Sequence, residues 1–408
     1  LPGWPDYVIK PSGYVSGLCY SLLRVEPWET CSFGCIYCYA RWYRGPHGPP
    51  VARRGWLRRW RRLARLSSRL WPRPWWRLST LSEPFQRVGG SVPGSVVAGL
   101  RAALRREVPL VVNTRSDAVA EPTVLGVLAA LAERGLVVVQ VSVSPPGFDR
   151  LAEPVAPPSW RRLEALEVLA EHGVPVAARV QPLVPGLEEE QLRLAEEALS
   201  RGAVSVIAES LRETREGLLR LYRLVLGREP WGVTSWEPYQ GAVVPGREGL
   251  LHPGPEWRRR MHTALRVLAA RHGAAYAPCK DGWLAEYAWP PWRPGSWDCC
   301  MAGLASRRRG PQLLLRPTLH EYAWLWRLLG RRPGWGEFLD WCRGELRSAG
   351  YVCGGGLEEL PGWLRRPLRR HEAMLRRLVE KRAERIPGLL LTTLPGAGDV
   401  EGPATASG

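Results

Sequence analysis

From residue 78 to residue 210 the chain alternates short apolar runs with amphipathic stretches, and few folds accept that rhythm. The segments "VPLVVNT" (108–114), "GLVVVQVSVS" (135–144), "VPVAARVQPLVPG" (174–186) and "AVSVIAES" (203–210) read as strands. Between them, 91–106, 121–134, 159–172 and 188–201 read as helices, the third opened by Ser159 as its cap. Strands that are apolar at nearly every position are covered on both faces, which means a parallel sheet with helices packed on it. Adding 17–27 and 75–81 gives six strand–helix units, short of a complete eight-unit barrel. The expected fold is therefore α/β, a partial (β/α)6 barrel, with its functional residues at the C-terminal ends of the strands. Beyond 210, helical stretches (210–226, 255–272, 317–330, 334–348 and 357–385) alternate with loops rich in Pro, Trp and Gly. The expected organisation is a core barrel over 15–210, a mostly helical C-terminal extension over 211–390 and a disordered tail over 391–408.

The loop after the first strand reads "TCSFGCIYCYAR", with Cys31, Cys35 and Cys38 spaced C-x3-C-x2-C. Three thiolates on a cubane iron–sulfur cluster leave one iron without a protein ligand, free to take a small chelating molecule. Gly34 helps such a short loop turn its cysteines to one point. Two other readings stand beside this one: a zinc site completed by Cys19, and a structural four-cysteine cluster. Further along lie Cys279, Cys299, Cys300, Cys342 and Cys353. Cys279, Cys299 and Cys300 are candidate ligands of an auxiliary cluster or of zinc. Cys279, beside Lys280 and Asp281, is the candidate catalytic thiol. Buried structural thiols are the plain alternative.

Charge narrows the partners. The net charge is +18, and lysine occurs only at positions 10, 280 and 381, so nearly every cation is arginine. A charge this far from zero favours a polyanionic partner. The segment 53–77, "RRGWLRRWRRLARLSSRLWPRPWWR", reads as an Arg/Trp-rich insertion. Guanidinium groups neutralise phosphates and indoles stack on bases, so RNA or DNA is the candidate partner. The competing reading turns Trp56 and Trp60, four residues apart, into a core and leaves the arginines in solvent. No known nucleic-acid-binding motif is present to decide between them. No run of eighteen apolar residues occurs, so no membrane span is expected. The first residues lack a charged segment followed by an apolar one, so a cytoplasmic location is expected.

The blocks "CSFGCIYCYAR", "LSEPFQ", "NTRSD", "VSVS" and "LAEPVAPPSWRRLEALEVLAEHGVPVAARVQPLVPGL" follow in an order that resembles the radical S-adenosylmethionine (radical SAM) superfamily, in its spore photoproduct lyase-like branch. The resemblance covers about residues 20 to 190 and is most specific from Glu153 to Leu187. It implies a [4Fe–4S] cluster on Cys31, Cys35 and Cys38, with S-adenosylmethionine chelating the open iron. It further implies an electron donor for the cluster and a 5′-deoxyadenosyl radical that takes hydrogen from substrate. By position, Tyr37 corresponds to the aromatic beside the adenine, and Ser82 and Glu83 to contacts with the methionine end. Arg115, Ser142, Ser144 and Arg179 fall at strand ends that touch the same cofactor. Each has a plain alternative: Ser82 can cap a turn, Ser144 can be a loop residue, and Arg179 can pair with a carboxylate at the sheet end. The lyase's hydrogen-donor cysteine has no counterpart in "RLSTLSEPFQRVGG", so its reaction does not carry over. The expectation is a radical SAM enzyme acting on a nucleic acid. The alternatives are a radical SAM enzyme with a protein or small-molecule substrate, and a non-enzymatic metal-stabilised nucleic-acid-binding protein.

Overall fold

A computed structural model describes residues 23–41, 47–71, 73–239, 249–279, 281, 319–345 and 354–382. Cys19, Lys280, Cys299, Cys300, Cys353, the tail 391–408 and the start of the first expected strand lie outside the described residues.

Seven strands form one sheet in sequential order, every pair parallel: β1 (Arg24–Val25), β2 (Trp76–Leu78), β3 (Leu110–Thr114), β4 (Val137–Val143), β5 (Val176–Leu183), β6 (Ser205–Ser210) and a last strand, Ala275–Pro278. The helices between them are α1 (Trp56–Ser67), α2 (Gly94–Arg106), α3 (Pro122–Glu133), α4 (Phe148–Ala152), α5 (Ser159–Glu171) and α6 (Glu188–Ser200). The six expected units are therefore present. A seventh strand joins them from within the C-terminal extension. After β6, β7 (Glu213–Thr214), α7 (Arg215–Leu226), β8 (Trp236–Pro238) and β9 (Leu250–Pro253) precede α8 (Pro255–Arg271), with β7, β9 and β8 making a small antiparallel sheet. The strand at 275–278 is β10, followed by α9 (Leu319–Leu329), α10 (Trp335–Glu345) and α11 (Gly362–Arg382).

Alternation along each strand divides the sheet into two faces. Leu110, Val112, Val137, Val139, Val141, Val176, Ala178, Val180, Val206, Ala208 and Tyr276 pack outward into one large core with the helices. The intervening positions form a second, smaller surface: Val138, Ala177, Ile207, Ala277 and Cys279 cluster on the inner face. The polar residues Asn113, Gln140, Arg179 and Glu209 share that parity. Burying the outer valines stabilises the fold by roughly 1.5–3 kcal/mol per side chain. The inner face instead combines a small apolar cluster with buried polar groups.

The expected Ser159 cap is corrected by the structure. Pro158 occupies the cap position and Ser159 is the first helical residue. Its hydroxyl instead accepts the backbone N–H of Ser144 at 3.0 Å, tying α5 to the end of β4.

The Arg/Trp segment folds as the inward-packing alternative described. In α1, Trp56, Trp60, Leu63, Ala64 and Ser67 are buried, a helical stripe about 180° from the arginines. The Trp60 indole donates to the Gly99 carbonyl at 2.9 Å and meets Trp76 edge-on at 5.3 Å. The absence of a side chain at Gly99 matters, because a Cβ there would lie 2.7 Å from the Trp56 ring. Trp76 donates to Ser67 Oγ at 3.0 Å and stacks on Trp363 of α11 at 6.3 Å. Trp75 is also buried, and Trp71 is exposed.

Candidate active site

The cysteine loop lies just past β1 and is tacked down by residues from other strands. Gln86 accepts from the Ser32 N–H at 2.7 Å and donates to the Thr30 carbonyl at 3.0 Å. The Ile36 N–H donates to the Ala152 carbonyl at 3.0 Å, and the Trp28 indole to the Pro84 carbonyl at 2.9 Å. Gly34 takes φ +65°, a conformation open to glycine without strain. Cys31, Cys35 and Cys38 carry no disulfide and gather with Phe33, Tyr37 and Ala156 in one small apolar cluster.

Arg115, at the end of β3, connects this cluster to the rest of the site. Its guanidinium donates to Cys35 Sγ at 3.3 Å and to the Gln181 carbonyl at 3.1 Å, and lies 3.7 Å from Glu153 Oε1. The same group stands 5.4 Å over the Tyr37 ring, an attractive arrangement for a cation on an aromatic face. Glu153 is the hub that residue-by-residue reading missed. It accepts from the Tyr37 hydroxyl, from Ser144 Oγ at 2.6 Å and from Arg162. Burial pushes the Glu153 carboxyl up, but Arg115 and Arg162, with the Ser144 and Tyr37 hydrogen bonds, outweigh it and hold it below its usual range. Burial raises the Tyr37 hydroxyl well above its usual value, so it stays neutral and donates.

A second knot forms between β1 and the loop after β2. The buried Glu26 carboxylate accepts from Thr80 N at 2.6 Å, Thr80 Oγ1 at 2.7 Å, Leu81 N at 2.9 Å, Ser79 Oγ at 2.7 Å and Ser82 Oγ at 2.9 Å. The Ser82 hydroxyl is therefore turned to Glu26, the turn-holding alternative. Glu83 accepts from Thr114 Oγ1 and the Arg115 N–H, both at 2.7 Å, and from the Phe85 N–H at 3.0 Å. Burial dominates over these donors and pushes its carboxyl up to about 7. Glu83 thus splices the second and third strand ends and fixes the backbone of Arg115.

On the far side, Arg179 donates to Gln140 Oε1 at 2.7 Å and to Gln181, lies 3.7 Å from Glu209 and reaches Cys279 Sγ at 3.8 Å. The contact with Glu209 is the carboxylate pairing set out as an alternative for Arg179. Cys279 follows directly on β10 and is buried. Asp281 fixes the chain just beyond it, accepting from the Ser210 N–H at 2.7 Å and from His262 at 2.8 Å. Ser142 offers its carbonyl to Arg162 at 3.2 Å. The structure thus brings Tyr37, Arg115 and Ser144 together around Glu153 beside the three cysteines. Ser82 and Glu83 join the loop-holding knots, and Arg179 with Cys279 forms a separate inner-face cluster. Glu26, Gln86, Arg162 and Gln181 are the supporting residues that sequence reading did not single out.

The donor set fits a sulfur-ligated cluster. Three thiols are free of disulfides, with a guanidinium on one of them whose Nε is buried and has no hydrogen-bond partner. Burial pushes the Cys35 thiol up to about 12, so its thiolate needs a cation beside it. Among the described residues no group of three His, Cys, Asp or Glu is arranged around a single metal ion. Cys19, the fourth ligand of the zinc alternative, lies outside the described residues.

No family model and no curated protein matches the chain. Solved structures do. A cysteine-to-serine mutant of spore photoproduct lyase superposes with a TM-score of 0.50 at 14% identity, covering 63% of this chain and 76% of that one. A cysteine-to-alanine mutant of the same lyase gives 0.50 at 14% identity, covering 65% and 78%. The chain therefore has the fold of spore photoproduct lyase. SuiB from Streptococcus suis, bound to S-adenosylmethionine, aligns more loosely, with a TM-score of 0.42 at 12% identity over 66% of this chain and 54% of that one. In this fold the cysteine loop, Arg115, Ser144 and Cys279 all occupy C-terminal strand ends. No helix among the described residues is long and apolar enough to cross a membrane.

Proposed function

We propose that this chain is a radical SAM enzyme that holds a [4Fe–4S] cluster on Cys31, Cys35 and Cys38 and acts on a nucleic acid. The observation that carries the reading is the set of three free thiols packed against the Arg115–Glu153–Tyr37 constellation at the strand ends. When bound and reduced, the cluster supplies the electron that splits S-adenosylmethionine into methionine and a 5′-deoxyadenosyl radical. Its electrons come from an external one-electron donor.

Arg115 has one N–H on Cys35 and a second, Nε, without a partner. That arrangement suits a donor to a bound carboxylate, and the guanidinium offsets negative charge on the sulfurs. Glu153 pairs with Arg115 and holds the Tyr37 hydroxyl by a hydrogen bond, leaving a ring face to pack against a planar base. Ser142 and Ser144 border the same space. Glu83, through the Arg115 N–H, fixes the rim on which these groups stand. On the opposite rim, Cys279 is the candidate hydrogen-atom donor. Its S–H bond would break homolytically to quench a substrate radical, and the same external donor would restore the thiol with one electron and one proton. The Arg179 guanidinium orients that sulfur.

The nucleic-acid part rests on the net charge of +18 and on phosphate being the polyanion such a surface attracts. After anaerobic loading with iron and sulfide and chemical reduction, the wild type should form 5′-deoxyadenosine from S-adenosylmethionine, and Cys35→Ala should form none. Equal turnover by Cys35→Ala would contradict the assignment of the cluster.

A further inference from the structure

Between Glu29 and Glu107 the sequence holds a single carboxylate, Glu83, and that one is buried at the strand ends. The same stretch contains α1 and α2, which pack side by side on the outer face of the sheet. With its tryptophans and Leu63 turned inward, α1 presents Arg58, Arg61, Arg62 and Arg65 along one exposed stripe. Arg101, Arg105 and Arg106 are exposed on α2. Among the described residues, Arg58, Arg61 and Arg65 form no ion pair with a carboxylate. Some exposed arginines elsewhere pair: Arg331 with Glu337 at 2.6 Å, Arg376 with Glu380 at 2.7 Å and Arg223 with Glu229 at 2.7 Å. Others, such as Arg134 and Arg193, have no carboxylate partner among the described residues but stand singly, not in a stripe.

We infer that this face of α1 and α2 is a docking surface for the phosphate backbone of a double-stranded nucleic acid. The inference rests on the nucleic-acid part of the proposed function and locates it on the outer helices, away from the cysteine loop. The burial of the indoles chooses the partner. Single strands are gripped by stacking bases on aromatic faces, and α1 offers none. A duplex presents about one phosphate charge per 1.7 Å of its axis. The stripe from Arg58 to Arg65 extends about 10 Å at helical rise, so it spans several phosphates and meets them with guanidinium forks alone. Such contacts position a duplex without reading its sequence.

The test uses the full-length protein and fluorescence anisotropy with random-sequence DNA and RNA duplexes over a range of salt. The combined variant Arg58→Gln, Arg61→Gln, Arg62→Gln and Arg65→Gln removes only exposed side chains, and its thermal melt checks that it folds. It should bind both duplexes at least about tenfold more weakly. The slope of log affinity against log salt should become shallower by about 0.9 for every phosphate that is no longer neutralised. Arg331→Gln with Arg376→Gln should change neither quantity. Loss on only one duplex type would narrow the partner to DNA or RNA and still support the surface. Unchanged duplex binding by the four-residue variant would overturn it. So would tighter binding of poly(dT), lost on Trp71→Ala, or adsorption to phosphatidylserine vesicles that no duplex displaces. Formation of 5′-deoxyadenosine without substrate should be equal in variant and wild type. If the wild type forms none, the radical chemistry fails while the docking surface still stands or falls on the anisotropy.

Discussion

The two faces of the parallel sheet are built from alternate residues of the same strands, yet they obey different rules. The outer face is a near-continuous layer of valine, leucine and alanine sealed by helices. The inner face carries an apolar floor of Val138, Ala177, Ile207 and Ala277, and above it Gln140, Arg179, Glu209 and Cys279. Toward the strand ends follow Arg115, Ser142 and Gln181. Outer residues stabilise the fold through area removed from water, where one apolar side chain substitutes tolerably for another. Inner residues are held by directional bonds, where a missing partner leaves a buried polar group exposed to no solvent at all. A substitution on the outer face should therefore cost stability alone, and one among the buried polar groups of the inner face both stability and chemistry.

Arg162 is the severest test of that division, because it lies beneath the inner rim and is fully buried with Glu153. Arg162→Met leaves the Glu153 carboxylate short of a charge partner. It should lower unfolding free energy by about 3–5 kcal/mol in denaturant titration, as broken buried pairs do. A loss under 1 kcal/mol would mean that Arg115 alone satisfies Glu153.

Glu83 sharpens the comparison through pH. Its folded carboxyl is raised from 4.5 to about 7 by burial. Below pH 4.5 it is protonated in both states and contributes no pH dependence. Between 4.5 and 7 the unfolded chain gives up the proton while the folded one keeps it, so stability falls as pH rises. Above 7 the full cost of ionising a buried group is present, roughly 3 kcal/mol at 1.36 kcal/mol per tenfold change in proton affinity. Glu83→Gln should flatten that segment of the melting-temperature profile between pH 5 and 8. An identical profile in the variant would show that Glu83 titrates normally.

The smallest effect belongs to the outer face. Val139→Ala should cost about 2 kcal/mol through lost burial and a small cavity, and should leave 5′-deoxyadenosine formation per folded molecule unchanged. Gly99→Ala should cost about 1–3 kcal/mol by forcing the Trp56 ring aside. If either altered turnover more than stability, the two faces would not be separable in this way.

The same division explains what could be read in the sequence. Valine runs such as 137–141 announce strands and their burial directly, so the six units and their order were legible. The three cysteines were legible because their spacing is local. The alternation at 138, 140 and 142 was visible too, but which parity faced inward depended on the packing of the helices. Glu153 was not legible as a hub, since its partners Tyr37, Arg115, Ser144 and Arg162 come from separate parts of the chain. β10 escaped notice because "AYAP" is four residues long with no valine, and its strand character comes from the neighbouring edge of β6. The tryptophans of α1 could be placed inward by their spacing with Leu63 and Ala64. Density of arginine alone pointed the other way.

The proposed chemistry requires an iron–sulfur cluster with one coordination position open to S-adenosylmethionine. Electron paramagnetic resonance of the anaerobically reconstituted, reduced protein, recorded with and without S-adenosylmethionine, tests it most directly. The reduced protein should give a [4Fe–4S]⁺ signal whose shape changes when S-adenosylmethionine is added and which is lost in Cys35→Ala. A signal indifferent to S-adenosylmethionine would mean a closed metal site and would contradict the account.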